Sequence, residues 1–189
     1  LRYAVITSVT RDDISDGGAA LFAETVRTIK ELVPDCRVEV LVPDFGPSME
    51  VSIERVIKAG PDVINHNIET VGPLFPSLRP RGDYRLSLRL LARVATSGVP
   101  AKSGLMLGLG ESMDQIRATL EDLRRAGCSI LTAGQYLRSR RENHPVERFY
   151  TPDEFERVRE LAESMGFERV LAGPMVRSSY HAHELSDRR

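Results

Sequence analysis

The chain has 189 residues, 28% charged and 41% hydrophobic, with 26 Lys and Arg against 27 Asp and Glu and a formal net charge of −1. That length supports one domain with a substantial core, read as a single unit over residues 1–189, and is too short for two comfortable ones. The charge balance excludes a polybasic nucleic-acid arm or an acidic tail as the main business, no apolar run approaches the roughly 18 residues of a membrane span, and two cysteines, Cys36 and Cys128, are too few for a disulfide framework or a complete protein-borne metal cage. A cytoplasmic protein is expected, with neither nucleic acid nor membrane as partner. The chain opens on Leu1 and runs straight into a strand-like segment, so it reads as a fragment lacking its N-terminal part.

The elements alternate. Residues 1–9 read as a buried strand, broken at Gly17-Gly18. Leu21, Phe22, Val26, Ile29, Leu32 and Val33 recur at helical spacing over 19–33, closed by Pro34. A strand over 37–42 follows, then a helix over 49–59 that Ser48 can cap and Gly60 stops, then a short strand over 62–67. Asp83 caps a helix ending at Gly98. Residues 102–107 form a strand running into Gly108-Leu109-Gly110. Ser112 and Gln115 predict a capping box for a helix over 113–126, with Gly127 after it. A strand over 129–133 comes next. Thr151, Pro152 and Glu154 give a cap, an N1 proline and a box partner for a helix ending at Gly166, and a last strand covers 169–172. The longest irregular stretches are 72–82 and 137–150. Repeated βα units of about 30 residues argue for an α/β fold with a parallel sheet.

Position is the informative feature. Each strand is apolar in its body and polar at its C-terminal end: Thr7, Ser8, Thr10, Arg11, Asp12 and Asp13 on the first, Pro43 and Asp44 on the second, Asn65 to Thr70 on the third, Glu111 after the fourth, Gln135 and Tyr136 on the fifth. In βα folds that edge holds the ligand site. Thr10-Arg11-Asp12-Asp13 is either a ligand clamp or a surface turn with a local ion pair. In Asn65-His66-Asn67-Ile68-Glu69, alternation puts both amides on one side and His66 on the other, so the amides need a small ligand or an internal hydrogen-bond network. Gly108 and Gly110 either let a flat ligand approach the backbone or form a tight turn; a third glycine is missing, so this is no dinucleotide fingerprint. Lys102, one of only three lysines, could form a Schiff base deep in a barrel. Arg177-Ser178-Ser179-Tyr180-His181 is an unusually functional composition for a chain end, otherwise a docked tail. The cysteines read as core residues.

Five blocks, in order, resemble the lipoyl synthase family: Val5 to Asp13, Val38 to Phe45, Pro61 to Val71, Lys102 to Glu111, and Val176 to Ala182. The resemblance runs from about Arg2 to about His183. It implies a partial (β/α) TIM-like barrel of the radical S-adenosylmethionine type, here lacking its N-terminal part. It implies insertion of two sulfur atoms, at C6 and C8, into an octanoyl group on a lysine of a lipoyl carrier domain or glycine cleavage H protein. Two 4Fe-4S clusters go with the family, one binding S-adenosylmethionine and one consumed as sulfur source, served by an iron–sulfur carrier and by an electron donor such as ferredoxin or flavodoxin. An unactivated C–H bond resists acid–base chemistry, which is why a shielded radical is needed. The auxiliary cluster's Ser ligand maps to Ser179, a hard alkoxide that can be released when the cluster opens. S-adenosylmethionine contacts map to Thr7, Asp13, Asn67, Glu69, Lys102 and Glu111. Arg138, Arg140 and Arg141 could face an acidic carrier domain or be a solvated charge run. The family's CxxxCxxC motif and its second Cys triad do not occur here, and Ala101 and Ser139 stand where the family often has Thr and Pro. The fragment alone is therefore expected to be inactive. The rival readings are a non-catalytic, carrier-binding subunit completed by another chain, and a non-redox barrel lyase using Lys102.

Overall fold

A computed structural model describes residues 1–9, 11 and 13–179; Thr10, Asp12 and residues 180–189, which include Tyr180 and His181 of the chain-end motif, lie outside the described residues. The strands are β1 (Tyr3–Thr7), β2 (Arg37–Leu41), β3 (Val63–Asn65), β4 (Ala101–Leu107), β5 (Ile130–Gln135) and β6 (Arg169–Gly173). All pair in parallel, in the order β1-β2-β3-β4-β5-β6, as consecutive βα units dictate. They form the expected partial (β/α) barrel. The helices between them are α1 (Ala19–Leu32), α2 (Met49–Lys58), α3 (Phe75–Leu78), α4 (Tyr84–Thr96), α5 (Met113–Arg125) and α6 (Pro152–Ser164).

The helices cover one face of the sheet. Val38 and Val40 of β2, Leu105 and Leu107 of β4, and Leu131 and Ala133 of β5 meet Phe22, Ile53, Leu91, Leu120 and Phe155 in one continuous core. Burying an aromatic or branched side chain of that kind stabilises by about 1.5–3 kcal/mol each. The alternate strand residues face the other, concave side. Its floor is a small separate apolar cluster of Val63, Ile130 and Leu171, one residue from each of three strands. Above the floor the concave face is polar.

Local chemistry sets the helix starts. Ser112 Oγ accepts from Gln115 N at 3.3 Å while Gln115 Oε1 accepts from Ser112 N at 2.9 Å; Thr151 and Glu154 repeat the arrangement on α6. Asp83 accepts from two amides of α4. Ser48 does not cap α2: it ends a 3-10 turn over Gly46–Ser48, and its hydroxyl donates to Phe45 O at 2.9 Å. The stretch 72–82 is not irregular throughout. A 3-10 turn (Gly72–Leu74) leads into α3, with Pro73 and Pro76 at their second positions, inside the first turn, where proline's missing N–H costs nothing. Among the described residues no helix is long and apolar enough to cross a membrane.

Candidate functional site

The polar concave face is built around an ion pair. Lys102 on β4 and Glu39 on β2 are fully buried, with Nζ 2.8 Å from Oε1. Tyr3 on β1 donates its hydroxyl to Glu39 Oε2 at 2.7 Å, and Asn65 on β3 stands beside Lys102 in register, its amide 3.5 Å from Glu39. Lys102 also donates to the carbonyl of Ser178 at 2.7 Å, so the segment after β6 reaches the concave face. Two acceptors there are left over: Asn65 Oδ1 and Asn67 Oδ1 are buried without a partner. A buried amide oxygen without a donor costs about 1–3 kcal/mol, and a bound ligand or water removes that cost.

Asn67 owes its place to an interruption in the sheet. After His66 N bonds Lys102 O, the ladder skips two residues and resumes at Glu69, whose N–H donates to Gly104 O and whose carbonyl accepts from Met106 N. Ser103 spans the gap: its hydroxyl donates to His66 O at 2.9 Å and accepts from Ile68 N at 3.1 Å. Glu69 adopts φ +68°, a sparsely populated conformation for a residue with a Cβ. Gly104 makes room: a Cβ there would stand 2.6 Å from Asn67 Oδ1. Asn67 and Glu69 then line a cavity of about 180 Å³ with Gly104, Thr132, Gln135 and Ser178, its apolar wall formed by Met106, Leu137 and Val176. Wider clefts at the same sheet edge continue it to Arg79, Ser8 and His144.

Electrostatics single out two groups. Burial pushes the Glu69 carboxyl above its ordinary value, opposed by the Arg79 guanidinium and the Asn67 amide. Burial also pushes His66 below its ordinary value. His66 takes the opposite side from the two asparagines, as alternation requires, with its ring between Val42 O and Ser87 Oγ, each at 2.9 Å.

The structure brings some candidates together and separates others. Asn67 and Glu69 share the cavity, Lys102 lies beneath it, and Ser179, exposed, follows the Ser178 carbonyl that Lys102 holds. Thr7 is exposed at the end of β1. Asp13 is exposed and forms a two-pronged pair with Arg11 at 2.7 Å, which holds its carboxyl below the usual range; this is the local ion pair of a surface turn. Glu111 is buried, and its two oxygens accept from Gly108 N and Leu109 N at 2.7 and 2.9 Å. The glycine pair is a tight turn without ligand space at Gly108: a Cβ there would fall 2.3 Å from Gln135 Nε2 and 2.5 Å from Arg148 O, and its φ is +102°. Arg138 wraps its own loop, donating to the carbonyls of Arg140, Arg141 and Asn143, so the three arginines are not one free charge run.

Sequence reasoning missed Glu39, Tyr3 and Arg79. The signal for Glu39 was a lone acid inside the apolar strand Val38-Glu39-Val40, matched by a rare lysine on another strand. Nothing local announces Tyr3 or Arg79.

Residues 1–123 match the family model of the Radical SAM superfamily. The chain belongs to that superfamily. This radical SAM chain is 52% identical over 186 residues to a lipoyl synthase of Thioalkalivibrio sulfidiphilus, covering 97% of this chain and 58% of the relative. It is 52% identical over 189 residues to a lipoyl synthase of Rubrobacter xylanophilus, covering 99% and 59%. The chain thus spans under three-fifths of the length of these two curated relatives. Among solved structures, methylornithine synthase superposes with TM-score 0.65 at 13% identity, over 100% of this chain and 63% of that one. A domain of pyruvate-formate lyase-activating enzyme from Bacteroides vulgatus superposes with TM-score 0.67 at 10% identity, over 89% and 98%. At such identities the likeness speaks for the fold.

The superfamily implies S-adenosylmethionine and an iron–sulfur cluster. The buried, unpartnered Asn67 oxygen beside the Glu69 carboxylate suits an amino- and hydroxyl-bearing ligand such as S-adenosylmethionine. The described residues do not suit a cluster: none of their His, Cys, Asp and Glu form a group of three able to hold a metal ion. Cys36 and Cys128 are both buried, and burial raises the Cys128 thiol to about 12, the opposite of a ligating thiolate.

Proposed function

We propose that this chain is the S-adenosylmethionine- and substrate-binding part of a lipoyl synthase, which inserts sulfur at C6 and C8 of a protein-bound octanoyl-lysyl group. The observation that carries the reading is the 52% identity extending over 97% of the chain, through the strand ends that build the concave cavity. S-adenosylmethionine, when bound, supplies the radical that attacks an unactivated C–H bond. The residues of this chain bind and orient. Asn67 accepts from the ligand at its free Oδ1, and Glu69 meets a hydroxyl or the amino group. The Met106, Leu137 and Val176 wall excludes water and suits an aliphatic acyl chain. Ser179, exposed and next in sequence to the cavity-lining Ser178, is the hydroxyl assigned to the auxiliary cluster, whose thiolates this sequence does not carry; the chain alone is then inactive, and in the cell an octanoylated lipoyl carrier domain or glycine cleavage H protein is the partner. A lyase through Lys102 is disfavoured by its chemistry: a fully buried ammonium paired to Glu39 is not a free amine nucleophile.

Equilibrium dialysis with S-adenosylmethionine tests the binding. The chain should bind it, and Asn67→Ala should weaken binding about tenfold, the value of one good hydrogen bond. An affinity indifferent to Asn67, or no binding, refutes the reading of this cavity. Anaerobic iron and sulfide should leave the isolated chain nearly colourless.

A further inference from the structure

The family resemblance maps Lys102 to an S-adenosylmethionine contact, but Lys102 is not among the residues that line the cavity, and the Lys102–Glu39 pair is the most deeply buried charge in the described structure. A buried ion pair seldom adds net stability over apolar residues of the same size, so the question is what else the pair holds. Its second hydrogen bond gives the answer. Lys102 is 76 residues from Ser178 in sequence, and its Nζ donates to the Ser178 carbonyl at 2.7 Å. Glu39 holds the ammonium from one side, and Tyr3 holds Glu39 from behind, so the donor is aimed before the tail arrives.

The tail has a matching path. It leaves β6 by a turn in which Val176 N donates to Gly173 O at 3.1 Å, and Val176 is buried. It then crosses β5 at Gly134, where a Cβ would lie 2.1 Å from Val176 O. Only a glycine on β5 lets the two backbones approach that closely. Gly134 and Lys102 are thus two separate contacts on one segment, and Ser178, between them and the exposed Ser179, lines the cavity.

We propose that Lys102 is a positioning residue, a latch that docks residues 174–179 across the concave mouth and thereby fixes where Ser179 stands. The docking is independent of the functional reading; its consequence for Ser179 rests on that reading. Glu39 orients the latch, and Gly134 provides the slot.

Limited trypsin digestion of the full chain tests this without any ligand. The Arg177–Ser178 bond lies in the latched segment, and cleavage in the exposed loop at Arg140 and Arg141 serves as internal reference. Lys102→Met should raise cleavage at Arg177 about tenfold relative to the reference, the worth of a charge-assisted hydrogen bond. Lys102→Met leaves Glu39 buried and unpaired and so endangers folding; the paired variant Lys102→Met with Glu39→Gln removes both charges and should give the same tenfold rise. Gly134→Ala should open the same bond without changing the reference cleavage, because it blocks the slot through which Val176 passes. Unchanged cleavage at Arg177 in the paired variant overturns the proposal. So does an equal rise at both sites, which signals general destabilisation. S-adenosylmethionine binding, measured separately, tells failure of the latch from failure of the functional reading.

Discussion

Replacing Gly104 by Ala puts a methyl group 2.6 Å from Asn67 Oδ1, 3.0 Å from its Cγ and 3.1 Å from Thr132 Oγ1. Gly104 lies within β4 and is not among the glycines with positive φ, so its backbone accepts alanine without strain. The substitution therefore has two opposed parts. Reduced freedom of the unfolded chain stabilises by about 0.5–1 kcal/mol. Overpacking against the Asn67 amide costs about 1–3 kcal/mol. The net expectation is destabilisation by about 1 kcal/mol, or roughly 2–4 °C in Tm for a chain of this length. With Asn67→Ala already in place the nearest obstacle is gone, and Gly104→Ala should become neutral or stabilising by about 0.5 kcal/mol. Urea unfolding of the four proteins gives the coupling directly, with an expected value of about 1.5 kcal/mol. Additive effects within about 0.3 kcal/mol would mean that the Asn67 side chain does not rest against Gly104, and the account of the cavity would fail with it.

Glu111→Ala strips the acceptors from two amides in a buried turn and should cost about 2–4 kcal/mol by denaturant unfolding. Glu69 has a raised carboxyl, so the folded chain holds that proton more tightly than the unfolded chain; stability should fall as pH rises from the ordinary value near 4.5 toward the raised one, and Glu69→Gln should abolish that part of the pH dependence. His66 has the opposite sign: its folded value lies below the ordinary 6.5, so its neutral, buried ring loses stability for the fold as pH drops below 6.5, and a Tm series should show a decline that His66→Asn removes. Thr151→Ala removes the cap of α6 and should cost about 1 kcal/mol, with Ser112→Ala similar on α5.

The parts of the fold legible in the sequence were those coded locally. Ser112 with Gln115 and Thr151 with Glu154 announce helix starts because both partners of each box lie within one turn. Alternation alone placed Asn65 and Asn67 opposite His66. The polar residues past each strand marked the edge of the sheet at which Asn67, Glu69 and Gln135 line the cavity. What escaped was coded by distance. Ser48 has the right chemistry for a cap, but the αL backbone at Phe45 turns the chain into a 3-10 turn first. Pro73 and Pro76 look like breakers until each is seen in the first turn of a short helix. Gly108 and Gly110 carry the composition of a ligand loop, yet Gln135 and Arg148, more than 25 residues on, fill the space at Gly108. Glu39 and Lys102 meet across 63 residues, so that each stands out on its own strand without naming the other as its partner.

The two-residue gap in the ladder between β3 and β4 is closed by a single side-chain oxygen, that of Ser103, which serves His66 and Ile68 together. The sheet's continuity at this point is therefore decoupled from the identity of the side chain at 67. A protein engineer could exchange that position for other polar groups and retune what the cavity selects, while the scaffold, stitched from behind by one hydroxyl, keeps its shape.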